Sequence, residues 1–257
     1  MKKLLAAAFL IIWLSATVFS VTGYQVECPP WPDCLECRCE SPTPTIGPSA
    51  TPTLTPVPTP TTTPGAGITI AHITDMHAGK YYTDRAEVVI GLINQSEAVV
   101  IVDTGDCTEN GQPSQWRKYQ TVMALSTIQW KAMPGNHDTS WPLGDASWYW
   151  DVGDYRLIGL NTRILDWTVC DAALDTEKLC LIFGHHPLDE SGVSWQLKAR
   201  LRLDNVIAYV SGHTHVNALS SFEDIALING GRVSIGSWRL IQLDGRNVTV
   251  TFLNPWG

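Results

Sequence analysis

The chain has 257 residues, with 25 acidic against 17 basic side chains and a formal net charge of −8. It carries no basic stripe of the kind that non-specific nucleic-acid binding needs, so a nucleic-acid partner has no support from charge, although it is not excluded. Divalent cations bound at a site would reverse the sign locally, so the acidity leaves anionic substrates open.

Lys2 and Lys3 precede an almost wholly apolar run over residues 4–18, with Ser20 or Gly23 as small residues at which a signal peptide could end. Extended to Val21, the same run reaches about 18 residues and could be a retained membrane anchor. Residues 1–23 are therefore expected to export the chain, either as a cleaved signal or as a tether to the outer face of the cell membrane. Membrane contact is expected only through that segment. Residues 24–40 hold Cys28, Cys34, Cys37 and Cys39. Local disulfides suit an exported chain; a metal knot is the alternative, but the spacing is not that of a zinc ribbon. Residues 41–66 are a Thr/Pro linker with too little apolar area to repay ordering, and proline favours an extended, semi-rigid spacer.

From residue 67 onward, roughly 190 residues remain, enough for one domain with a sizeable core. Residues 68–73 read as a strand, 84–92 as a helix, 98–102 as a strand, 113–125 as a helix and 127–133 as a strand. This alternation predicts a layered α/β domain. Strands over 155–160, 179–183 and 206–210 and a helix over 194–201 continue it. From Ser220 the chain reads as short strands punctuated by Gly230-Gly231, Gly236 and Asp244-Gly245, a β-rich second layer.

Each of several strand-like runs is followed by a short polar motif: Asp75-Met76-His77, Gly105-Asp106, Gly135-Asn136-His137-Asp138, Gly184-His185-His186-Pro187 and Gly212-His213-Thr214-His215. Open α/β sheets place their chemistry just past the carboxyl ends of strands. Six of the seven histidines fall in these motifs, an alignment that scattered core histidines would not produce. Asp75, His77, Asp106, Asn136, His185, His213 and His215 together offer oxygen and imidazole donors without sulfur, which suits manganese, iron or zinc. Seven donors are too many for one tetrahedral ion and favour a pair sharing a carboxylate. Around them, Lys80-Tyr81-Tyr82 is either a substrate rim or a solvated loop. Trp141, Trp148 and Trp150 either wall a pocket or fill the core. Arg163 is either a phosphate contact or an ordinary surface arginine.

The ordered set of motifs resembles the calcineurin-like metallophosphoesterase family over residues 67–257. The resemblance implies a four-layer αββα sandwich of two mixed sheets flanked by helices, with a β-rich C-terminal part. It implies two divalent or transition metal ions, with Asp106 bridging, Asp75, His77 and His215 on the first ion, and Asn136, His185 and His213 on the second. It further implies hydrolysis of a small or exposed phosphate ester by a hydroxide held between the ions, with His137 as general acid and Glu109 as the acidic partner that orients it. The protein Ser/Thr phosphatases of the family carry an arginine where this chain has Asn110, which points away from that branch and toward small phosphodiesterase-like members. A broad phosphomonoesterase is the alternative, and a non-catalytic metal-binding or interaction module a further one. With seven cysteines at least one is left over; Cys107, beside Asp106, is expected to be free. Cys170 and Cys180 are expected to form a disulfide, two free thiols being the alternative.

Overall fold

The computed structural model describes residues 67–256 except 82, 166 and 191–193. The expected leader (1–23), cysteine segment (24–40) and Thr/Pro linker (41–66), with their disulfide and export expectations, lie outside the described residues. Among the described residues no helix is long and apolar enough to cross a membrane.

The elements run β1 (Ile68–Ile73), α1 (Asp84–Ile93), β2 (Val100–Asp103), α2 (Pro113–Met123), β3 (Trp130–Ala132), β4 (Trp148–Val152), β5 (Tyr155–Leu160), α3 (Trp167–Leu174), β6 (Leu179–Gly184), α4 (Ser194–Leu201), β7 (Val206–Ser211), β8 (Ala218–Phe222), β9 (Ile225–Asn229), a 3-10 turn (Val233–Ile235), β10 (Trp238–Asp244) and β11 (Asn247–Leu253). They build the expected sandwich. One sheet has the order β11-β10-β1-β2-β3 and the other β4-β5-β6-β7-β9-β8. The pairs β1·β2·β3 and β5·β6·β7·β9 are parallel, and β4, β8, β10 and β11 join antiparallel, so both sheets are mixed.

The strand sequences explain the layering. In β1 the side chains of Ile68 and Ile70 join the layer between the sheets, while Ala71 and Ile73 join the layer under α1 and α2. In β6, Leu181 and Phe183 face the inter-sheet layer, and Cys180 and Ile182 face α3 and α4. A strand covered on both faces has no polar side to show, which is why these segments read as unbroken apolar runs. The C-terminal strands do not form a layer of their own as the sequence suggested. The hairpin β8–β9 extends one sheet, and β10–β11 extends the other along β1. Strand β4 and helix α3 are further elements that the sequence pattern did not single out.

Cys170 on α3 and Cys180 on β6 are not bonded, contrary to the expected disulfide; both are free, buried thiols, as is Cys107. Cys180 Sγ donates to the Lys178 carbonyl at 3.5 Å and accepts from Asn205 Nδ2 at 3.6 Å. Burial pushes the Cys170 thiol up to about 12 and the Cys180 thiol to about 11. In that apolar layer they pack as small hydrophobes.

Candidate metal centre

The parallel strands end together, and the seven expected donors all sit on the loops that leave them: Asp75 and His77 after β1, Asp106 after β2, Asn136 after β3, His185 after β6, and His213 and His215 after β7. These loops are tightly locked. Asp75 N–H donates to the Gly105 carbonyl and His77 N–H to the Asp106 carbonyl, each at 2.9 Å. Gly105 has φ +103°, and a Cβ there would lie 2.4 Å from the Gly135 nitrogen, so only glycine permits the two loops to touch. Asp75, His77, Asp106, His213 and His215 all have φ between 47° and 70°. Such left-handed backbone costs on the order of 1–3 kcal/mol per residue and persists where the surroundings over-determine it, characteristically at functional sites.

The donors fall into overlapping groups. Asp75, His77 and His215 form one group with ligand atoms within 4.8 Å of one another, Asp106, His185 and His213 form another, and His77, Asp106 and His137 form a third that overlaps both. Asp106 Oδ2 stands between them, 3.6 Å from His77 Nε2 and 3.3 Å from His185 Nε2. Asn136 Oδ1 lies 3.0 Å from His185 Nε2 and 2.9 Å from His213 Nδ1.

Hydrogen bonds behind the imidazoles fix which nitrogen faces inward. His77 Nδ1 lies 2.9 Å from the Glu109 carboxylate, which can only accept, so the proton is on Nδ1 and Nε2 presents a lone pair. His185 Nδ1 donates to the Thr104 carbonyl at 3.0 Å with the same consequence. The lone pair of His77 then confronts His215 Nε2 at 3.1 Å and Asp75 Oδ1 at 3.8 Å. Asp75 Oδ1 is buried and has no hydrogen-bond partner. Converging acceptors with an orphaned carboxylate oxygen are the lining of a cation site. Charge effects agree. Burial opposes a charge on His185, yet the Asp106 carboxylate beside it raises its pKa, so this pocket draws positive charge. Burial would likewise raise the Asp106 carboxyl, but His185 and His77 outweigh it and hold it at about 2.

The described residues thus hold a dinuclear metal-binding site. Elemental analysis is expected to give close to two ions per chain. Chelation is expected to lower Tm, since an ion at 100 times its Kd stabilises the folded state by about 2.7 kcal/mol. A melt that chelator leaves unmoved, or one ion or none in metal-supplied protein, would contradict the site.

His137 N–H donates to Asp106 Oδ1 at 2.8 Å, and the His137 ring stands edge-on to His77 at 4.7 Å. Glu109 meets His137 mainly through its backbone carbonyl, 2.7 Å from His137 Nδ1. Its carboxylate binds His77 and Lys80 Nζ (3.1 Å) and is 3.7 Å from His137, so its main partners are not the ring it was expected to orient. Tyr81 stands edge-on to His77 at 5.9 Å, which puts Lys80 and Tyr81 on the rim; Tyr82 lies outside the described residues. The tryptophans belong to the core. Trp148 is buried and donates to the Ala132 carbonyl, Trp150 packs between the sheets, and Trp141 stacks edge-on against Trp116.

Three supporting groups lie behind the site. Asp138 ties two loops together, accepting from Cys107 N, Thr108 N, Thr108 Oγ1 and Gly135 N. Its place in the Gly135–Asp138 motif was the available signal. Arg239 is fully buried and donates to His72 Nδ1, Asn217 Oδ1 and the Gly231 carbonyl. His72 Nε2 bonds Thr104 Oγ1 at 2.9 Å, so this network links β1 and β10 to the segment following His215. An arginine inside the apolar strand pattern Trp238-Arg239-Leu240-Ile241 was its sequence signal. Asp103 is buried against Tyr119 Oη (3.0 Å) and Gly105 N (3.0 Å), and nothing in the sequence marked it.

Burial, partly offset by the Gly105 and Tyr119 hydrogen bonds, raises the Asp103 carboxyl from its ordinary 3.8 to about 8. With the folded value above the unfolded one, the folded chain holds the proton more tightly. That stabilisation is complete below about pH 4 and is lost as pH rises through about 8. Urea unfolding of Asp103→Asn against wild type is expected to favour the variant increasingly from pH 5 to pH 9. A difference that does not change with pH would contradict a protonated Asp103.

A family model described as calcineurin-like phosphoesterase matches residues 68–217, more than half of the chain. The chain belongs to this family. Its donor set is consistent with a metal-dependent phosphoesterase site. A probable glycerophosphodiester phosphodiesterase of Arcobacter nitrofigilis is 23% identical over 153 residues, covering 45% of this chain and 56% of that protein. The chain thus spans about half the length of that curated relative. Among solved structures, a dimetal phosphatase from Danio rerio matches with a TM-score of 0.53 and 14% identity, covering 75% of this chain and 99% of that one. The Plasmodium protein described as the anchor in the inner membrane complex matches with a TM-score of 0.57 and 15% identity, covering 73% of this chain and 84% of that one. At these identities the structural likeness shows the fold alone.

Proposed function

We propose that the protein is an exported phosphodiesterase acting on small or exposed phosphate diesters, with His137 as general acid. The observation that carries this reading is the Asp106 carboxylate set between two imidazole groups, with His137 beside it on a ligand-bearing loop. Two ions held there would lower the pKa of bound water and neutralise phosphate charge. The chain's own residues do the rest. Asp75, His77, Asp106, Asn136, His185, His213 and His215 supply the donors. His77 is oriented by the Glu109 carboxylate and His185 by the Thr104 carbonyl. The Glu109 carbonyl accepts a hydrogen bond from His137 Nδ1–H, leaving Nε2 as the atom that passes a proton to the departing oxygen.

The diester preference is supported by Asn110 standing where the protein phosphatases have an arginine, and by the description of the Arcobacter relative as a probable glycerophosphodiester phosphodiesterase. Export is supported by the apolar run over residues 4–18 behind Lys2 and Lys3. The test is a kinetic panel of simple mono- and diesters, cyclic nucleotides, DNA and phospholipid head-group esters on the metal-loaded chain. Monoesters preferred by more than about tenfold in kcat/KM, or roughly 1.4 kcal/mol, would replace the diesterase reading with a phosphomonoesterase.

A further inference from the structure

Three loops meet beside the His185–His213 group. The loop after β5 carries buried Asn161 and Thr162 and exposed Arg163. Asn161 Oδ1 accepts from Arg163 N–H at 3.0 Å, fixing the backbone, and Arg163 Nη1 donates to the Asp138 carbonyl, fixing one arm of the guanidinium. That carbonyl belongs to the residue after His137. Arg156, Arg200 and Arg202 are each paired with a carboxylate. Arg163 makes its side-chain contact only with a backbone carbonyl among the described residues, so its remaining donors and its full charge face outward.

Thr162 also organises His186. Its hydroxyl accepts from His186 N–H at 3.3 Å and lies 2.7 Å from His186 Nδ1. With that hydroxyl donating its proton to Nδ1, the imidazole proton sits on Nε2. The His186 ring lies 4.8 Å from the His213 ring and 5.1 Å from the His185 ring, and the Tyr209 hydroxyl holds the His186 carbonyl. An imidazole N–H donor and a guanidinium with no carboxylate partner among the described residues therefore flank one side of the metal centre, and neither is a metal ligand in the seven-donor set.

We propose that Arg163 and His186 Nε2–H form an oxyanion-binding flank that takes non-bridging oxygens of the substrate's phosphate group. The proposal rests on the phosphoesterase reading and deepens it by assigning residues to substrate binding. Guanidinium groups bind phosphate oxygens through paired, charge-assisted hydrogen bonds that lysine cannot reproduce. The flank would act on binding and orientation of the ester, separately from proton transfer at His137.

The test uses the full 257-residue chain loaded with manganese, with inorganic phosphate as the probe. Calorimetry with orthophosphate, metal content and diester kinetics are compared for wild type, Arg163→Gln, Arg163→Lys, His186→Leu and His186→Gln. Arg163→Gln is expected to keep two ions, weaken orthophosphate binding about 10–100-fold and raise KM more than it lowers kcat. Arg163→Lys is expected to recover part of that loss. His186→Leu should weaken orthophosphate and His186→Gln, which keeps an N–H donor, should weaken it less. Orthophosphate affinity within twofold of wild type in both Arg163→Gln and His186→Leu, with two ions retained, overturns the flank. A wild type that binds orthophosphate but turns over no phosphate ester overturns the phosphoesterase reading and leaves the flank standing.

Discussion

Asp106→Ala is expected to be the most damaging single change in the protein. Its Oδ2 is within 3.6 Å of one inward-facing imidazole nitrogen and 3.3 Å of the other, so both halves of the centre lose a donor at once. Its Oδ1 also accepts the backbone N–H of His137, so the same change frees the loop that carries the proposed acid. Removal of a group that merely supports a ligand typically costs 10–100-fold in metal affinity or activity. Loss of a shared ligand should therefore lower kcat/KM by more than about 10²-fold. Metal content is expected to fall from two ions to one or fewer. Asp106→Asn preserves the shape and the bond to His137 but not the charge, so it separates loop position from metal binding. Two retained ions and a kcat/KM within tenfold of wild type in Asp106→Ala would refute a shared carboxylate. By contrast, His215→Ala removes a half-buried donor from one group only and should spare the second ion.

Much of this centre was legible in the sequence because its donors come as short motifs at the ends of apolar runs. Strands that are covered on both faces leave no alternation, but they announce themselves as runs such as Leu179–Gly184, and the polar residues that interrupt them stand out. What was not legible depends on contacts between distant segments. Whether β10 joins the sheet of β1 or a layer of its own is decided by its pairing of Ile70 with Ile241, and an alternating pattern does not specify its partner. The same holds for Cys170 and Cys180, ten positions apart in sequence, whose state depends on how α3 packs on β6. Glu109 is a related case. A carboxylate three residues after Asp106 can reach either His77 or His137, and the choice is made by the bridge between Ala78 and Thr108 that runs the two loops side by side. Asp103 and Arg239 were hidden because buried ionisable groups in apolar strands carry no local signature beyond their own improbability.

His137→Ala is expected to separate chemistry from metal binding. The His137 Nδ1 proton is committed to the Glu109 carbonyl, and its ring, although its ligand atom lies within 4.8 Å of those of His77 and Asp106, is outside the two groups that contain Asp75 and His185. The variant should therefore retain two ions and lose rate, by about 10²–10⁴-fold, the usual share of a positioned acid. The loss should depend on the leaving group. A p-nitrophenolate departs readily without a proton, whereas an alkoxide does not, so alkyl diesters should suffer most and p-nitrophenyl diesters least. Glu109→Gln is expected to give a smaller loss of a different kind, because the carboxylate acts on His77 while the carbonyl that holds His137 remains. It should weaken one ion and leave the leaving-group dependence nearly intact. Equal losses for alkyl and p-nitrophenyl esters in His137→Ala would remove the ring from proton transfer, and loss of an ion would make it a metal ligand instead.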